Sequence, residues 1–384
     1  MRPDAGSTHL LADLAEDARA WMFGAAAPLW AQAGRHPDGL FAERLDSAAQ
    51  PDDAPRRLFV QARHVYAFCE IGRLGWQGPW QDLAGRTMDF LLARGRRPDG
   101  LFIHRFTSDG AVLDSRADLY DQAFMLFCLA SAGRALGRPA LLREAEGLAD
   151  ALEAGWRHPA GGFTERDLPR AHRQQNPHMH FCEAFVTLHA VTGLPRWKAL
   201  AEEVARLGRD RFIHAQSGAL LEYFGEDLSP APGDDGMIVE PGHCFEWAWL
   251  LERMSLWGWP GTPIADRLVS FGRRWGIDPV RDVAINELRT NGSVRRATAR
   301  LWPQTERLKV ALARLRRTGD AAEVDEARRA YLGLKRYLAM PVPGTWQDVM
   351  NPDGSFVPMP APGSSLYHIT CAMAELVDTA EGRL

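Results

Sequence analysis

The sequence predicts an all-α fold: six helical hairpins, each an inner and an outer helix, closed into a double ring with short β-hairpins in the loops. Three observations carry this. A turn phrase recurs at a fixed interval, an aromatic phrase recurs out of phase with it, and the stretches between alternate between amphipathic and mostly apolar.

The turn phrase reads His36-Pro37-Asp38-Gly39-Leu40-Phe41, then Arg97-Pro98-Asp99-Gly100-Leu101-Phe102, then His158-Pro159-Ala160-Gly161-Gly162-Phe163. Asp38 to Asp99 is 61 residues, and Asp99 to Ala160 is another 61. Proline fixes φ and glycine takes the left-handed position, so each phrase is a tight turn. Looser versions stand at Ser217-Gly218, Asn291-Gly292 and Asn351-Pro352-Asp353-Gly354-Ser355-Phe356. The second series opens helical stretches at Arg63-His64-Val65-Tyr66, Leu119-Tyr120-Asp121-Gln122, His178-Met179-His180-Phe181, Pro241-Gly242-His243-Cys244, Leu301-Trp302-Pro303-Gln304 and Leu366-Tyr367-His368-Ile369. From Arg63 the steps to Tyr120, His180, His243, Trp302 and His368 are 57, 60, 63, 59 and 66 residues. Six such units account for the whole chain.

Between these marks, Leu141 to Leu152, Trp197 to Leu207 and Ala321 to Leu338 combine good helix formers with one apolar and one charged face, the pattern of outer helices. The stretches opened by Arg63, His243 and His368 are less charged and more aromatic, as inner helices buried on most sides should be. Phe102 to Arg105 and Leu220 to Tyr223 read as β-hairpin segments. Six hairpins can stack as an open solenoid or close into a ring. Closure is favoured because neither the first nor the last unit has a polar capping helix. Residues 1–384 are read as one barrel domain.

Composition narrows the function. The 384 residues are 46% hydrophobic and 24% charged, with 45 Lys plus Arg against 49 Asp plus Glu and a net charge of −4. That balance gives no footprint for nucleic acid or an anionic membrane. No uninterrupted apolar run approaches the roughly 18 residues of a membrane span, and the N-terminal segment lacks a signal-peptide core. Cys69, Cys128, Cys182, Cys244 and Cys371 are odd in number, far apart and set among apolar residues, which suits buried thiols in a reducing compartment. A cytoplasmic protein, monomer or homodimer, is expected.

If the six units are equivalent, the residues near the inner-helix starts converge on one funnel: Arg63, Tyr120, Asn176 with His180, His243 with Glu246, Trp302, and Gln347 with His368. A purely structural ring needs apolar residues there. Amides, aromatic faces and a few ionisable groups suit a sugar. Bland alternatives exist: Arg63 pairing with a carboxylate beneath the funnel, and Tyr120 and Trp302 as packing aromatics. His-x-x-Glu occurs at His180/Glu183 and His243/Glu246, on one helical face each, and could hold a metal. Against that, Asp121 and Glu306 have no histidine at ligand spacing, and bundle metal sites use four facing ligands. No metal and no cofactor are expected, and no phosphate-cradling glycine loop or nucleophile elbow is present.

The phrases Arg63-His64-Val65-Tyr66, Asn176-Pro177-His178-Met179-His180-Phe181-Cys182-Glu183-Ala184, Glu240-Pro241-Gly242-His243-Cys244-Phe245-Glu246-Trp247-Ala248, Leu301-Trp302-Pro303-Gln304-Thr305-Glu306 and Ser364-Ser365-Leu366-Tyr367-His368-Ile369 resemble the N-acylglucosamine 2-epimerase superfamily. Within it they are most similar to the D-mannose isomerase and sulfoquinovose isomerase branch. The resemblance implies an (α/α)6 barrel that isomerises or epimerises sugars by proton transfer between two histidines, with no required metal. By motif, His243 and His368 match the acid/base pair. Arg63, Asn176, His180, Glu246 and Gln347 match sugar contacts, Gln347 by its distance from His368; Tyr120 and Trp302 match more loosely.

The residue chemistry agrees. Moving a proton between C2 and C1 of an open-chain aldose needs groups that titrate near neutrality, which histidine does. Glu246, one turn beyond His243, is expected to orient that imidazole, and Arg63 to stabilise the enediolate. The expected reaction is D-mannose to D-fructose. Alternatives are a 2-epimerase for an N-acylhexosamine or a β-linked disaccharide, a sulfoquinovose isomerase, a glycoside hydrolase using Glu246 with Asp121 or Glu306, and a non-catalytic repeat scaffold.

Overall fold

The computed structural model describes residues 5–383. Its helices are α1 (Ala5–Trp21), running through a π turn (Met22–Ala26) into α2 (Ala27–Gln32), then α3 (Leu58–Arg73), α4 (Trp80–Phe90), α5 (Leu119–Ala135), α6 (Pro139–Gly155), α7 (Gln175–Thr192), α8 (Pro195–Leu207), α9 (Pro241–Ser255), α10 (Thr262–Trp275), α11 (Trp302–Thr318), α12 (Ala321–Leu338) and α13 (Ser365–Ala380). The odd-numbered helices from α3 to α13 pack on one another in chain order, and α13 returns to α3. They form the inner ring. Helices α4, α6, α8, α10 and α12 pack outside their preceding inner helices, and α1 packs outside α13. The fold is therefore an (α/α)6 barrel, and its sixth hairpin is assembled from the two ends of the chain.

Sequence explains the two layers. Inner α9 carries His243, Cys244, Phe245, Trp247, Trp249 and Leu250 around its whole circumference, all buried. Outer α10 buries only a stripe of Ala265, Leu268, Val269, Phe271 and Gly272. Proline in the first turn of α6, α8, α9, α10 and α11 starts those helices without losing a hydrogen bond. All five cysteines are buried free thiols. No helix among the described residues is long and apolar enough to cross a membrane.

The loops between outer and inner helices hold two tight turns. The first is the repeated phrase, closed from His36 N–H to Leu40 C=O at 2.9 Å, Arg97 to Leu101 at 2.8 Å and His158 to Gly162 at 3.0 Å. The second lies further on, closed from Asp46 to Gln50, Thr107 to Ala111, Gly225 to Ser229, Arg289 to Ser293 and Asn351 to Ser355. Asn291-Gly292 and Asn351 to Phe356 thus belong to the second series, not the first. In the fifth unit the first turn is Asp278–Asp282, where Asp282 itself adopts a left-handed φ of 53°. Of the hairpins expected near Phe102 to Arg105 and Leu220 to Tyr223, the first exists, displaced slightly, as Arg105–Phe106 paired with Val112–Asp114 and also with Arg56–Arg57. Tyr223–Phe224 instead pairs with Arg173–Gln174 from the loop before α7, a long-range pairing and not a hairpin. The inner helix α3 begins at Leu58, so Arg63 stands in its second turn.

One device fixes loop to helix in several units. Gln61 accepts the Phe41 N–H (2.7 Å) and donates to its C=O (3.0 Å); Gln122 does the same to Phe102 (2.9 and 3.0 Å), and Gln304 to Ala284 (2.7 and 2.8 Å). A buried side-chain amide here replaces a missing strand partner. Replacing Gln122 by Leu strands the Phe102 N–H and C=O, at roughly 1–3 kcal/mol for each unsatisfied buried group. Urea unfolding should show a loss of about 2 kcal/mol or more; a change within about 0.5 kcal/mol would contradict this reading.

Candidate active site

Inner helices run side by side, so residues at equivalent depth form tiers around the barrel axis. One tier is Arg63, Phe124, His180, Glu246, Glu306 and His368, all within the second turn of their helices or close to it. The Arg63 guanidinium lies 4.2 Å from the Phe124 ring centre, and Phe124 lies 4.4 Å from the His180 ring. Ligating atoms of His180, Glu183 and Glu246 fall within 4.8 Å of one another, as do those of Glu246, Glu306 and His368. A helical turn nearer the mouth stand Phe59, Tyr120, Asn176, His243 and Trp302, with Ser364 just before α13. Arg63 donates to the Tyr120 hydroxyl at 2.6 Å and to the Ser364 carbonyl at 3.2 Å, tying the two tiers together.

The two histidines flank one indole. Trp302 lies 4.8 Å from the His243 ring and 5.7 Å from the His368 ring, tilted by 38° and 39°. Gly242 permits this closeness: a Cβ there would meet the Trp302 ring at 2.5 Å. Each imidazole turns Nδ1 to a carboxylate, His243 to Glu222 at 2.9 Å and His368 to Glu306 at 2.9 Å. An ionised carboxylate only accepts, so Nδ1 carries the proton in both rings and Nε2 is left for a ligand.

The surroundings of the two rings differ in charge. His243 has Glu222 and, at 3.9 Å, Glu240 beside it. Burial opposes charge on this ring, but the two carboxylates outweigh it and push its pKa up to about 10. Behind His368, Glu306 is neutralised by Lys309, whose fully buried Nζ lies 2.6 Å from its second oxygen and 3.7 Å from the Trp249 ring centre. Burial, then the Arg63 and Lys309 cations, hold His368 well below its ordinary value. The resting site thus pairs a charged His243 with a neutral His368. His180 hydrogen-bonds Glu183 at 3.1 Å, and the Tyr367 hydroxyl donates to the other Glu183 oxygen at 2.5 Å. Burial pushes His180 down to about 4.

The structure brings Arg63, Tyr120, His180, His243, Glu246, Trp302 and His368 together around one funnel, and several details differ from the sequence expectation. Glu246 does not orient His243. Both its oxygens are buried without a protein partner, and it faces His180, Glu183, Glu306 and His368. Burial, then the Glu306 charge, raises its pKa well above the ordinary carboxylate range. Glu306 and Asp121, read as lacking a nearby histidine, stand against His368 and His104 respectively, the latter at 2.6 Å. Arg63 has no carboxylate partner among the described residues; its guanidinium lies over the rings of Phe59, Tyr120, Phe124 and Tyr367. Asn176 stands in the outer tier, Gln347 hydrogen-bonds the Tyr337 carbonyl through its backbone N–H, and neither side chain hydrogen-bonds a histidine among the described residues. Each has its amide oxygen buried and unpartnered, like Arg63 Nε and the Glu246 carboxyl. Such atoms need a partner, and polar sugar hydroxyls are of the right chemistry.

Glu222, Glu240, Glu183, Lys309 and Tyr367 were not singled out from the sequence as site residues. A signal for Glu222 existed: two residues after the first-turn phrase stand Glu43, His104, Glu165 and Glu222. Three of these accept a backbone N–H near an inner-helix start, Arg57 (3.1 Å), Leu119 (2.7 Å) and Glu240 (3.3 Å).

The charge asymmetry is measurable. Imidazole NMR should show His243 charged through neutrality and titrating near pH 10, with His368 neutral throughout. Glu222→Gln removes the charge that raises His243, so its titration should fall by about a unit or more. A wild-type His243 titrating near the ordinary ~6.5 would contradict the assignment.

An (α/α)6 barrel with two carboxylate-backed histidines in its funnel defines a class of sugar-handling enzymes. The sequence profile described as N-acylglucosamine 2-epimerase matches residues 39–372, and the chain belongs to that family. It is 43% identical to a "Mannose-6-phosphate isomerase" of Rhizobium meliloti (strain 1021), covering 93% of this chain and 95% of that one. It is 27% identical to a "D-mannose isomerase" of Thermobifida fusca, covering 87% of each. The solved structure of a cellobiose 2-epimerase from Spirochaeta thermophila DSM 6192 superimposes with a TM-score of 0.87 at 24% identity, covering 97% of this chain and 98% of that one.

Proposed function

We propose that the protein is a sugar aldose–ketose isomerase converting D-mannose to D-fructose through an enediol, with His368 as base and His243 as acid. The carrying observation is the pair of imidazoles on either side of Trp302, each with Nδ1 committed to a carboxylate and Nε2 left for substrate. The names of the Rhizobium and Thermobifida relatives, which specify isomerases of mannose or its phosphate, support the same reading.

In the forward direction neutral His368 takes the C2 proton while charged His243 gives a proton to the carbonyl oxygen at C1, producing an enediol. His243 then takes the proton from the C2 hydroxyl, and His368 returns its proton to C1. Both histidines end as they began. Arg63, with Nε free of protein partners, supports the developing negative charge. Asn176, His180, Glu246 and Gln347 supply donors and acceptors for the remaining hydroxyls, and Tyr120 and Trp302 supply apolar faces. We further propose that no metal is needed. In the two triads that include His243 and His368, one carboxylate oxygen already takes the imidazole Nδ1 proton, so these clusters are built to hold protons. A reducing, cytoplasmic setting is part of this reading.

The test is sugar turnover after exhaustive chelation, with D-mannose, N-acetylmannosamine and cellobiose as substrates. Fructose should form from mannose at the wild-type rate without added metal. His243→Ala and His368→Ala should each lose about 100-fold or more, as a general acid–base group does. Wild-type turnover in His368→Ala, activity restored only by a divalent ion, or 2-epimers as the sole products would overturn the proposal.

A further inference from the structure

The inner ring divides into two arcs. His243, Trp302 and His368 belong to α9, α11 and α13, whereas Phe59, Tyr120 and Asn176 belong to the opposite arc of α3, α5 and α7. A hexose with C1 and C2 at the histidines therefore extends its C5–C6 end toward α3, α5 and α7. On that side the funnel opens into a cleft of about 590 Å³ that shares Phe59, Tyr120 and Asn176 with it. Its wall carries the side chains of Arg57, Arg105, Arg116 and Arg170, against a single carboxylate, Asp118.

This arrangement exceeds what the fold requires. The antiparallel register places Arg57 directly opposite Arg105, whose other cross-strand neighbour is Asp114. Arg57 is steadied from outside the cleft by buried Glu43, which accepts its Nε at 2.5 Å, and its guanidinium lies 4.7 Å from the Phe59 ring centre. Arg116 is held by Asp114 through two hydrogen bonds (3.0 and 2.7 Å), and Arg170 by Asp118. Arg105 is exposed and has no ion-pair partner among the described residues. Phe59 also lies 5.0 Å from the Arg63 guanidinium and meets Tyr120 edge-on at 5.2 Å, so one continuous wall runs from Arg57 at the rim to Arg63 at the funnel floor.

We propose that this cleft is a phosphate subsite: Arg57, Arg105 and Arg170 bind the phosphate of a hexose phosphorylated at the carbon furthest from the carbonyl. Guanidinium groups match a phosphate monoester in planar, two-point geometry, and Arg105, the one of the four without an ion-pair partner among the described residues, supplies the uncompensated charge. The inference rests on the isomerase reading for the orientation of the sugar.

The experiment compares D-mannose 6-phosphate with D-mannose in wild type and Arg105→Gln. Arg105 is exposed and unpaired, so Arg105→Gln should fold as wild type. Wild type should show a KM for mannose 6-phosphate about tenfold or more below that for mannose, as charge-assisted hydrogen bonds warrant. Arg105→Gln should raise the phosphate-sugar KM about tenfold, leaving its kcat and the mannose KM within about twofold. Equal KM values for both sugars in wild type, or equal KM increases for both in the variant, would overturn the subsite. If neither sugar turns over, the isomerase reading itself fails. Calorimetry with mannose 6-phosphate then decides the subsite alone: binding weakened about tenfold by Arg105→Gln supports it, and absence of binding overturns it.

Discussion

The position of α13 governs the rest of the molecule. It lies between α11 and α3 in the inner ring, and α1, from the other end of the chain, covers its outer face. Closure at that seam brings His368 against Glu306 of α11 and leaves the Arg63 side chain of α3 under Ser364 and over Tyr367. Apolar burial holds the seam: Leu11, Ala15, Ala18 and Met22 of the first helical run belong to the same core cluster as Leu366, Ile369, Met373, Leu376 and Val377 of α13. An open solenoid would keep each hairpin and lose the site.

Closure also creates an electrostatic problem that the funnel solves locally. Glu183, Glu246 and Glu306 are brought together out of water, with His180, His368 and the buried cations Lys309 and Arg63 near them. Isolated buried charges are strongly unfavourable, so protons and partners are distributed. Glu306 pairs with Lys309, the hydrogen bond from His180 lowers the Glu183 pKa against the cost of burial, and burial beside Glu306 raises the Glu246 pKa well above the ordinary carboxylate range. His368 is left neutral in this cluster while His243, between Glu222 and Glu240, is charged. The same fold thus gives two chemically identical side chains opposite proton states.

The repeat made the architecture legible, because a turn phrase shared by the first three units and an aromatic helix start recur along the chain. It also made legible that His243, Trp302 and His368 face one funnel, although His368 stands a turn deeper than the other two. Partners were harder. Glu246 was matched to His243 because it is three residues on, but on an inner helix that step leads one turn deeper into the funnel. The residue that meets His243 is Glu222, on the loop before α9, and the one that meets His368 is Glu306, 62 residues away on the neighbouring helix. Such pairings are set by loop path and helix packing, to which periodicity is blind. The misplacement of Asn291-Gly292 has a similar cause: the loops contain two turns of like composition, and only hydrogen-bond register tells them apart.

The central claim is that the proton leaving C2 travels on a histidine before it reaches C1. Conversion of mannose in D2O, read by NMR of the product, addresses it most directly. A base that holds the proton while an enediol persists exchanges with solvent, so fructose should carry deuterium at C1, fully or in part, with one of the two C1 positions strongly preferred. Fructose with no deuterium at C1, formed only in the presence of a divalent ion, would signify direct hydride transfer with a cation polarising the carbonyl, and the two-histidine account would be contradicted.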